Sequence, residues 1–194
     1  MKHIKKISKK SVEEFFGVRL LSNKVSIGAD TASYHTAFAI IRTTASYVIF
    51  ESFEKIEVPK LGKKSTLQRT LNNVDLFTEQ LDELKHKWSQ QYKFDYTQIE
   101  DCFYQFSVKT TKLLAYNGIL TYDRLKRISN NAILMMPGSA RAKINFKKSK
   151  KKITGFQLKK EIIIYINNAL GLDLKLKEND VADAVVLSLA GLIE

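Results

Sequence analysis

Cysteine and long apolar runs are scarce in this chain of 194 residues. Its one cysteine, Cys102, excludes an internal disulfide and a cysteine-rich zinc site. No apolar run approaches the roughly 18 residues that a membrane-spanning helix needs, so we expect no membrane span. The lysine-rich first ten residues are followed by Glu13 and Glu14 instead of an apolar core, and a secretory signal is not expected. The histidines share no metal-ligand spacing: His3, His35 and His86.

Acidic residues are missing from one long stretch of the sequence. Between Arg124 and Lys160 there are twelve basic and no acidic residues, while the rest of the chain balances to zero, so this stretch carries the whole net charge of +12. Lysines and arginines that neutralise phosphates release counterions, which favours nucleic-acid binding. A solubilising face or a lysine-rich loop is the alternative. The candidate DNA contacts are Arg141, Lys143, Lys147, Lys148, Lys150, Lys151 and Lys152.

The periodicity of apolar residues predicts a single α/β domain over residues 25–194, preceded by a basic arm over residues 1–24. With 44% hydrophobic residues, the chain can bury a substantial core. Strands are predicted at residues 25–30, 37–41, 47–53, 94–100 and 133–136. Helices are predicted at residues 67–92, 107–118, 158–169 and 181–193, with Gly118 and Gly171 as stop signals. This order of elements favours a mixed sheet with helices packed on it.

Four carboxylates occupy apolar settings, where a charge is costly unless something compensates it. Asp30 ends the first strand of the domain and Glu100 ends the central strand. Asp180 and Asp183 open the final helix on one face, since they are three residues apart. Taken alone, Asp180 also fits a helix N-cap and Asp30 a turn. Taken together, the four predict a carboxylate cluster that suits two Mg²⁺ or Mn²⁺ ions, a pair that hydrolyses phosphodiesters.

Three motifs resemble the RuvC-type Holliday-junction resolvases of the ribonuclease H-like superfamily. The motifs are Ser26-Ile-Gly-Ala-Asp30, Ile99-Glu100-Asp-Cys-Phe103 and Asn179-Asp180-Val-Ala-Asp183-Ala-Val. Their order and spacing extend the resemblance over most of residues 25–193. The resemblance implies a mixed five-stranded sheet flanked by helices. It also implies a homodimer that cuts two opposing strands of a four-way DNA junction. The metal ligands that it implies, for two Mg²⁺ ions with Mn²⁺ as substitute, are Asp30, Glu100, Asp180 and Asp183.

The same resemblance assigns Phe103 to stacking on bases near the crossover. Aromatic faces stack on unpaired bases with little sequence demand, and burial of Phe103 in the core is the alternative. Tyr104 and Phe106 are the backup candidates, and Asp101 is the alternative to Glu100 as central ligand. The predicted helix at residues 107–118 offers a dimerisation surface, because it has more apolar side chains than a single buried face requires: Val108, Leu113, Leu114 and Tyr116. Burial of this helix within its own subunit is the alternative.

The sequence also departs from the family. Thr31-Ala-Ser33 replaces the turn that usually follows the first motif, and the run Lys147–Lys152 and the N-terminal arm are additions. These departures suggest a divergent version, acting in a bacterial or phage-infected cytoplasm or in an organelle. Two other functions stay open. One is a nuclease of the same fold acting on flaps, forks or RNA–DNA hybrids, and the other is a nucleic-acid-binding module without catalysis.

Overall fold

The computed structural model describes residues 4–60, 67–101, 108–149 and 154–194. The strands are β1 (Lys5–Ser8), β2 (Val25–Thr31), β3 (His35–Thr43), β4 (Tyr47–Glu57), β5 (Tyr96–Glu100) and β6 (Ala132–Met135). The helices are α1 (Lys9–Phe16), α2 (Leu67–Gln91), α3 (Val108–Leu125), α4 (Pro137–Lys143), α5 (Gly155–Leu170) and α6 (Asn179–Ala190), with a short 3-10 helix at Leu176–Glu178. Six of the candidate DNA-binding residues lie outside the described residues: Phe103, Tyr104, Phe106, Lys150, Lys151 and Lys152.

The strands form one mixed sheet in the order β1-β4-β3-β2-β5-β6. The pairs β1–β4, β4–β3 and β3–β2 are antiparallel, and β2–β5 and β5–β6 are parallel. The α/β fold class is confirmed, but the sheet has six strands and the predicted count of five is wrong. The extra strand, β1, comes from the segment predicted as a basic arm.

The segment predicted as an arm packs on the body of the fold. β1 pairs with β4 in the register Lys5↔Phe50, and α1 follows it directly. The α1 residues Val12 and Phe16 are buried in the same core cluster as α5 and α6. Gly17 ends α1 at φ 64°, a left-handed conformation that glycine adopts without a Cβ penalty. The basic character of the arm sits on the exposed edge of β1, where lysines discourage pairing with another strand.

Side-chain alternation along the strands builds one core on each face of the sheet. On one face, Ile27 and Ala29 of β2 pack with Phe77, Leu81 and Trp88 of α2. The apolar residues spaced by threes and fours along the predicted helix were expected to be core. They are core from Phe77 to Tyr92, whereas Leu71 is 46% exposed. On the other face, α1, α4, α5 and α6 bury their apolar side chains in a second cluster. This second face also carries the carboxylates.

Two helices differ from their predicted forms. α3 does not stop at Gly118 but continues to Leu125, which is fully buried, and Arg124 forms an ion pair with Asp82 of α2 at 3.1 Å. A glycine inside a helix costs only ~1 kcal/mol, which these contacts outweigh. α4 was not predicted, and it begins at Pro137, a residue favoured in a first helical turn. Among the described residues, no helix has the length and apolar character required to cross a membrane.

Candidate active site

The parallel pairing of β2 and β5 brings the first two carboxylates together. Ala29 is in register with Ile99, so the next residues, Asp30 and Glu100, lie side by side at the carboxyl end of both strands. Both also point to the sheet face covered by α6, because Ala29 and Ile99 point to the α2 face. The register of two central strands thus creates the acidic pair that the sequence predicted.

α6 brings the other two carboxylates to the same place. Gly28 lets this helix lie directly on β2, since a Cβ at Gly28 would stand 2.0 Å from the Ala184 carbonyl oxygen and 2.5 Å from the Ser188 nitrogen. The first turn of α6 therefore lies next to the carboxyl end of β2. Asp30, Glu100, Asp180 and Asp183 all line one cleft of about 580 Å³. Glu100 lines this cleft, whereas Asp101 lines a separate groove beside α3.

Asp30 and Glu100 form a pair that does not tolerate two negative charges. Burial raises the pKa of Asp30 well above its ordinary value, and the hydrogen bond with Glu100 raises it further. Burial also raises the pKa of Glu100, while the hydrogen bond from Asp30 acts in the opposite direction. Burial and this hydrogen bond both favour the protonated form of Asp30. Cations bound beside these two carboxyl groups would stabilise their ionised forms.

Asp180 is ionised and surrounded by basic side chains. Its carboxylate lies 3.1 Å from His35 Nε2, 3.2 Å from Lys55 Nζ and 3.9 Å from Lys159 Nζ. Burial opposes the charge of Asp180, but hydrogen bonds and attraction from His35 and Lys55 outweigh burial and lower its pKa from 3.8 to about 2. Asn179 also donates a hydrogen bond to Asp180.

Asp183 has its own cation on the neighbouring helix. Arg141 Nη2 of α4 donates to Asp183 Oδ1 at 2.8 Å. β6 runs parallel to β5 and ends at Met135, which is in register with Glu100. Because α4 follows β6 directly, it begins at the edge of the sheet where the carboxylates lie. The Nε atom of Arg141 is buried and has no hydrogen-bond partner among the described residues. The guanidinium therefore has donor capacity left at the wall of the cleft.

The donor set of the cleft fits divalent metal ions. Carboxylate oxygens are the ligands that Mg²⁺ prefers. In the described part of the chain, no three His, Cys, Asp or Glu side chains are grouped closely enough to hold a metal ion. The reason is visible in the ion pairs, because Asp180 turns to His35 and Lys55, and Asp183 turns to Arg141. The cleft is thus a site whose carboxylates are balanced by the protein's own cations.

The predicted DNA-binding residues fall into separate groups. Arg141 lines the cleft, and Lys143 donates to the Ala190 carbonyl oxygen at 3.4 Å. Lys147 and Lys148 are exposed. The first basic residues of the acid-free stretch form ion pairs with nearby aspartates. Arg124 pairs with Asp82 of α2, and Asp123 pairs with Arg124, Lys126 and Arg127. The charge available for phosphate binding is therefore concentrated after residue 140.

Sequence reasoning missed several residues around the carboxylates. Lys159 was counted only within the basic stretch, although it lines the cleft. His35 and Lys55 carry no sequence signal, because the antiparallel registers of β3 and β4 bring them to Asp180. Asn117 of α3 is buried and donates to the Ala32 carbonyl oxygen at 2.9 Å and the Ser33 carbonyl oxygen at 3.3 Å. It holds the turn that follows Asp30.

Comparison with solved structures identifies the fold. Thermus thermophilus RuvC in complex with a Holliday-junction substrate matches with a TM-score of 0.60 and 11% identity, over 86% of this chain and 91% of that one. A second T. thermophilus RuvC structure matches with a TM-score of 0.60 and 12% identity, over 86% and 92%. The yeast mitochondrial Holliday-junction resolvase Ydc2 matches with a TM-score of 0.52 and 11% identity, over 92% and 82%.

Sequence comparison adds nothing to this result, since neither a protein-family model nor a curated protein sequence matches the chain significantly. The structural matches extend over most of this chain and most of each resolvase. The resemblance drawn from the three motifs is thereby confirmed at the level of the fold. The chain has the ribonuclease H-like fold of the RuvC-type Holliday-junction resolvases, in a version of very low sequence identity.

Proposed function

We propose that this protein is a metal-dependent endonuclease that resolves four-way DNA junctions by paired, symmetric nicks. One observation carries the proposal. Four carboxylates from three separate chain segments meet in one cleft, at the carboxyl ends of two parallel strands. The similarity in fold to RuvC and Ydc2 supports the junction as substrate, because these neighbours are junction resolvases.

The proposed ligands of two Mg²⁺ ions are Asp30, Glu100, Asp180 and Asp183. When bound, such ions activate a water molecule and stabilise the leaving oxygen of a phosphodiester. Asp30 and Glu100 would hold the ions in their ionised forms, and Asp180 and Asp183 would hold them in place of the basic partners that they now contact. Arg141 and Lys159, which then lose their carboxylate partners, are placed to contact the phosphate that is cut.

Two symmetric cuts require a second active site, and a two-fold dimer supplies it. The predicted dimer surface lies on α3, where Tyr116 and Ile119 are 53% and 65% exposed. Leu134 of the neighbouring edge strand β6 is 50% exposed and continues the same apolar surface. Of the other α3 residues considered for this role, Leu113 is buried within its own subunit and Leu114 lines the active-site cleft. We therefore propose α3 and β6 as the homodimer surface.

The experiment is cleavage of synthetic four-way, three-way and linear DNA side by side, with Mg²⁺ and without it. We expect paired nicks at symmetric positions of the four-way junction and no cleavage without the metal. A single nick per substrate, or preference for flaps, forks or RNA–DNA hybrids, would instead assign a different substrate to the same nuclease fold. Tight junction binding without cleavage at any Mg²⁺ or Mn²⁺ concentration would show a binding module.

A further inference from the structure

Phe156, in the first turn of α5, is a highly exposed aromatic ring. It is 63% exposed, more than any other described phenylalanine. The next most exposed, Phe15 and Phe53, each lie against other rings at centroid distances of 5.0 to 6.3 Å. Phe156 pairs with no ring among the residues that the structure describes. A large apolar ring left in water suggests a partner that covers it.

The position of Phe156 on α5 is one turn from Lys159, a residue that lines the cleft. Residues seven apart lie almost on one line of a helix, so Phe156 shares a line with Ile163 and Leu170, which are 6% and 0% exposed in the core. Lys159, one turn after Phe156, reaches Asp180 at 3.9 Å. The side of α5 that is buried at Leu170 and Ile163 therefore leaves the core toward the start of the helix, where Phe156 lies one turn before Lys159.

The first turn of α5 is held by its own capping interactions. Thr154 Oγ1 accepts from the Gln157 backbone nitrogen at 3.2 Å, and Gln157 Oε1 accepts from the Thr154 nitrogen at 3.1 Å. This reciprocal arrangement is a capping box, which fixes the helix start. The ring of Phe156 is thus presented from a defined turn, which lowers the entropy cost of binding a partner there.

The charges around Phe156 indicate which kind of partner covers it. Lys159 and Lys160 are exposed on the next turn, and Lys147 and Lys148 are exposed in the preceding segment. The helix N-terminus adds partial positive charge. The nearest acidic residue along α5, Glu161, accepts hydrogen bonds from Ser149. An exposed aromatic ring with exposed lysines before and after it in the sequence matches a nucleic-acid strand, whose phosphates bind the cations while a base stacks on the ring.

We propose that Phe156 stacks on an unpaired base of the bound DNA, beside the phosphodiester that enters the cleft. This inference rests on the proposed nuclease function and deepens it by naming a base contact. Phe156 is a different residue from Phe103, to which the resemblance assigned base stacking, and it belongs to the first turn of α5. Because stacking uses the face of the base, the contact selects an unpaired base over a paired one and makes little demand on its identity.

The test measures junction binding by Phe156 variants, with Ca²⁺ replacing Mg²⁺ to prevent cleavage. The probe is a four-way junction with 2-aminopurine next to the crossover, whose fluorescence reports stacking. We expect Phe156→Ala to weaken junction binding by about five-fold to a hundred-fold and to lose the fluorescence change. Phe156→Trp should retain both, whereas Phe156→Leu, which keeps apolar area but no aromatic face, should not.

The matched control is Ile164→Ala, which removes a residue of the same helix that is 50% exposed. Its junction affinity should equal that of the wild type, and all variants should melt at the wild-type temperature. Unchanged affinity and fluorescence for Phe156→Ala, with a wild-type protein that binds and cleaves junctions, would overturn this inference and leave the proposed function standing. Wild-type protein that neither prefers nor cleaves junctions would overturn both. Loss of self-association without loss of DNA affinity would assign the ring to a protein contact and also overturn it.

Discussion

At the scale of single residues, the buried Asp30–Glu100 pair lowers the free energy of unfolding at neutral pH. Burial raises the pKa of Asp30 well above its ordinary value, so the folded chain resists its ionisation. The free energy associated with a raised carboxyl pKa favours folding at low pH and is lost as the pH rises through the raised value. The metal-free protein is therefore less stable at neutral pH than it would be with a neutral side chain at this position.

Asp30→Asn should separate stability from activity. We expect the metal-free variant to be more stable than the wild type at neutral pH by about 1 kcal/mol, because it removes the acidic group and still donates to Glu100. The gain in stability should shrink toward acidic pH, where Asp30 of the wild type is protonated in the unfolded chain as well as in the folded one. Cleavage should be abolished while junction binding is kept. Denaturant unfolding at several pH values checks the first part, and a variant that cleaves normally would exclude Asp30 from the site.

The opposite shift at Asp180 predicts an opposite pH dependence. Its folded pKa is lowered from 3.8 to about 2, so its contribution to stability is complete above the ordinary value and is lost as the pH falls between these values. This contribution is about 2 kcal/mol. Asp180→Asn should therefore show a weaker loss of stability across this acidic range than the wild type. Identical pH profiles in urea unfolding would contradict the ion pairs with His35 and Lys55.

At the scale of elements, the contact of α6 with β2 assembles the active site. Gly28→Ala should be strongly destabilising, because its Cβ would meet the α6 backbone at 2.0 Å and 2.5 Å. Overpacking of this kind costs ~1–3 kcal/mol or more. The matched control is Gly138→Ala in α4, where a Cβ meets nothing within 4 Å and should be neutral or mildly stabilising. Thermal unfolding compares the two, and equal stabilities would contradict the close packing.

Most elements could be predicted from the sequence because periodicity reports which face of each element is buried. The stop of α5 at Gly171, which has φ 57°, and the buried side of α2 from Phe77 onward are confirmed, whereas Leu71 near the start of α2 is exposed. Gly118 was misleading because Leu125 and Arg124 gain contacts that no local signal shows. β1 could not be predicted from its lysine-rich sequence, since a four-residue edge strand needs few apolar side chains. Proximity of Asp30 and Glu100 could be predicted, whereas the ion pairs from β3 and β4 depend on strand register.

At the scale of the whole molecule, the charges and the apolar surface lie in different places. Arg141 and Lys159, from the basic stretch after residue 140, line the cleft, while Tyr116, Ile119 and Leu134 form an exposed apolar surface on α3 and β6. This separation suits a protein that binds DNA with one surface and a second copy of itself with another. It also allows the two functions to be tested independently.

Ile119→Glu should convert the proposed homodimer into monomers. Ile119 is 65% exposed, so the substitution should leave the fold intact, but in a two-fold dimer it would place a charge from each subunit at an apolar interface. Ile164→Glu, at a residue 50% exposed on α5, is the control and should remain dimeric. Analytical ultracentrifugation at micromolar concentration measures the states. The Ile119→Glu monomers should still bind junctions, more weakly, and make single nicks without the paired cut. A wild-type protein that sediments as a monomer both free and on a junction would contradict the dimer, and with it paired resolution by two active sites.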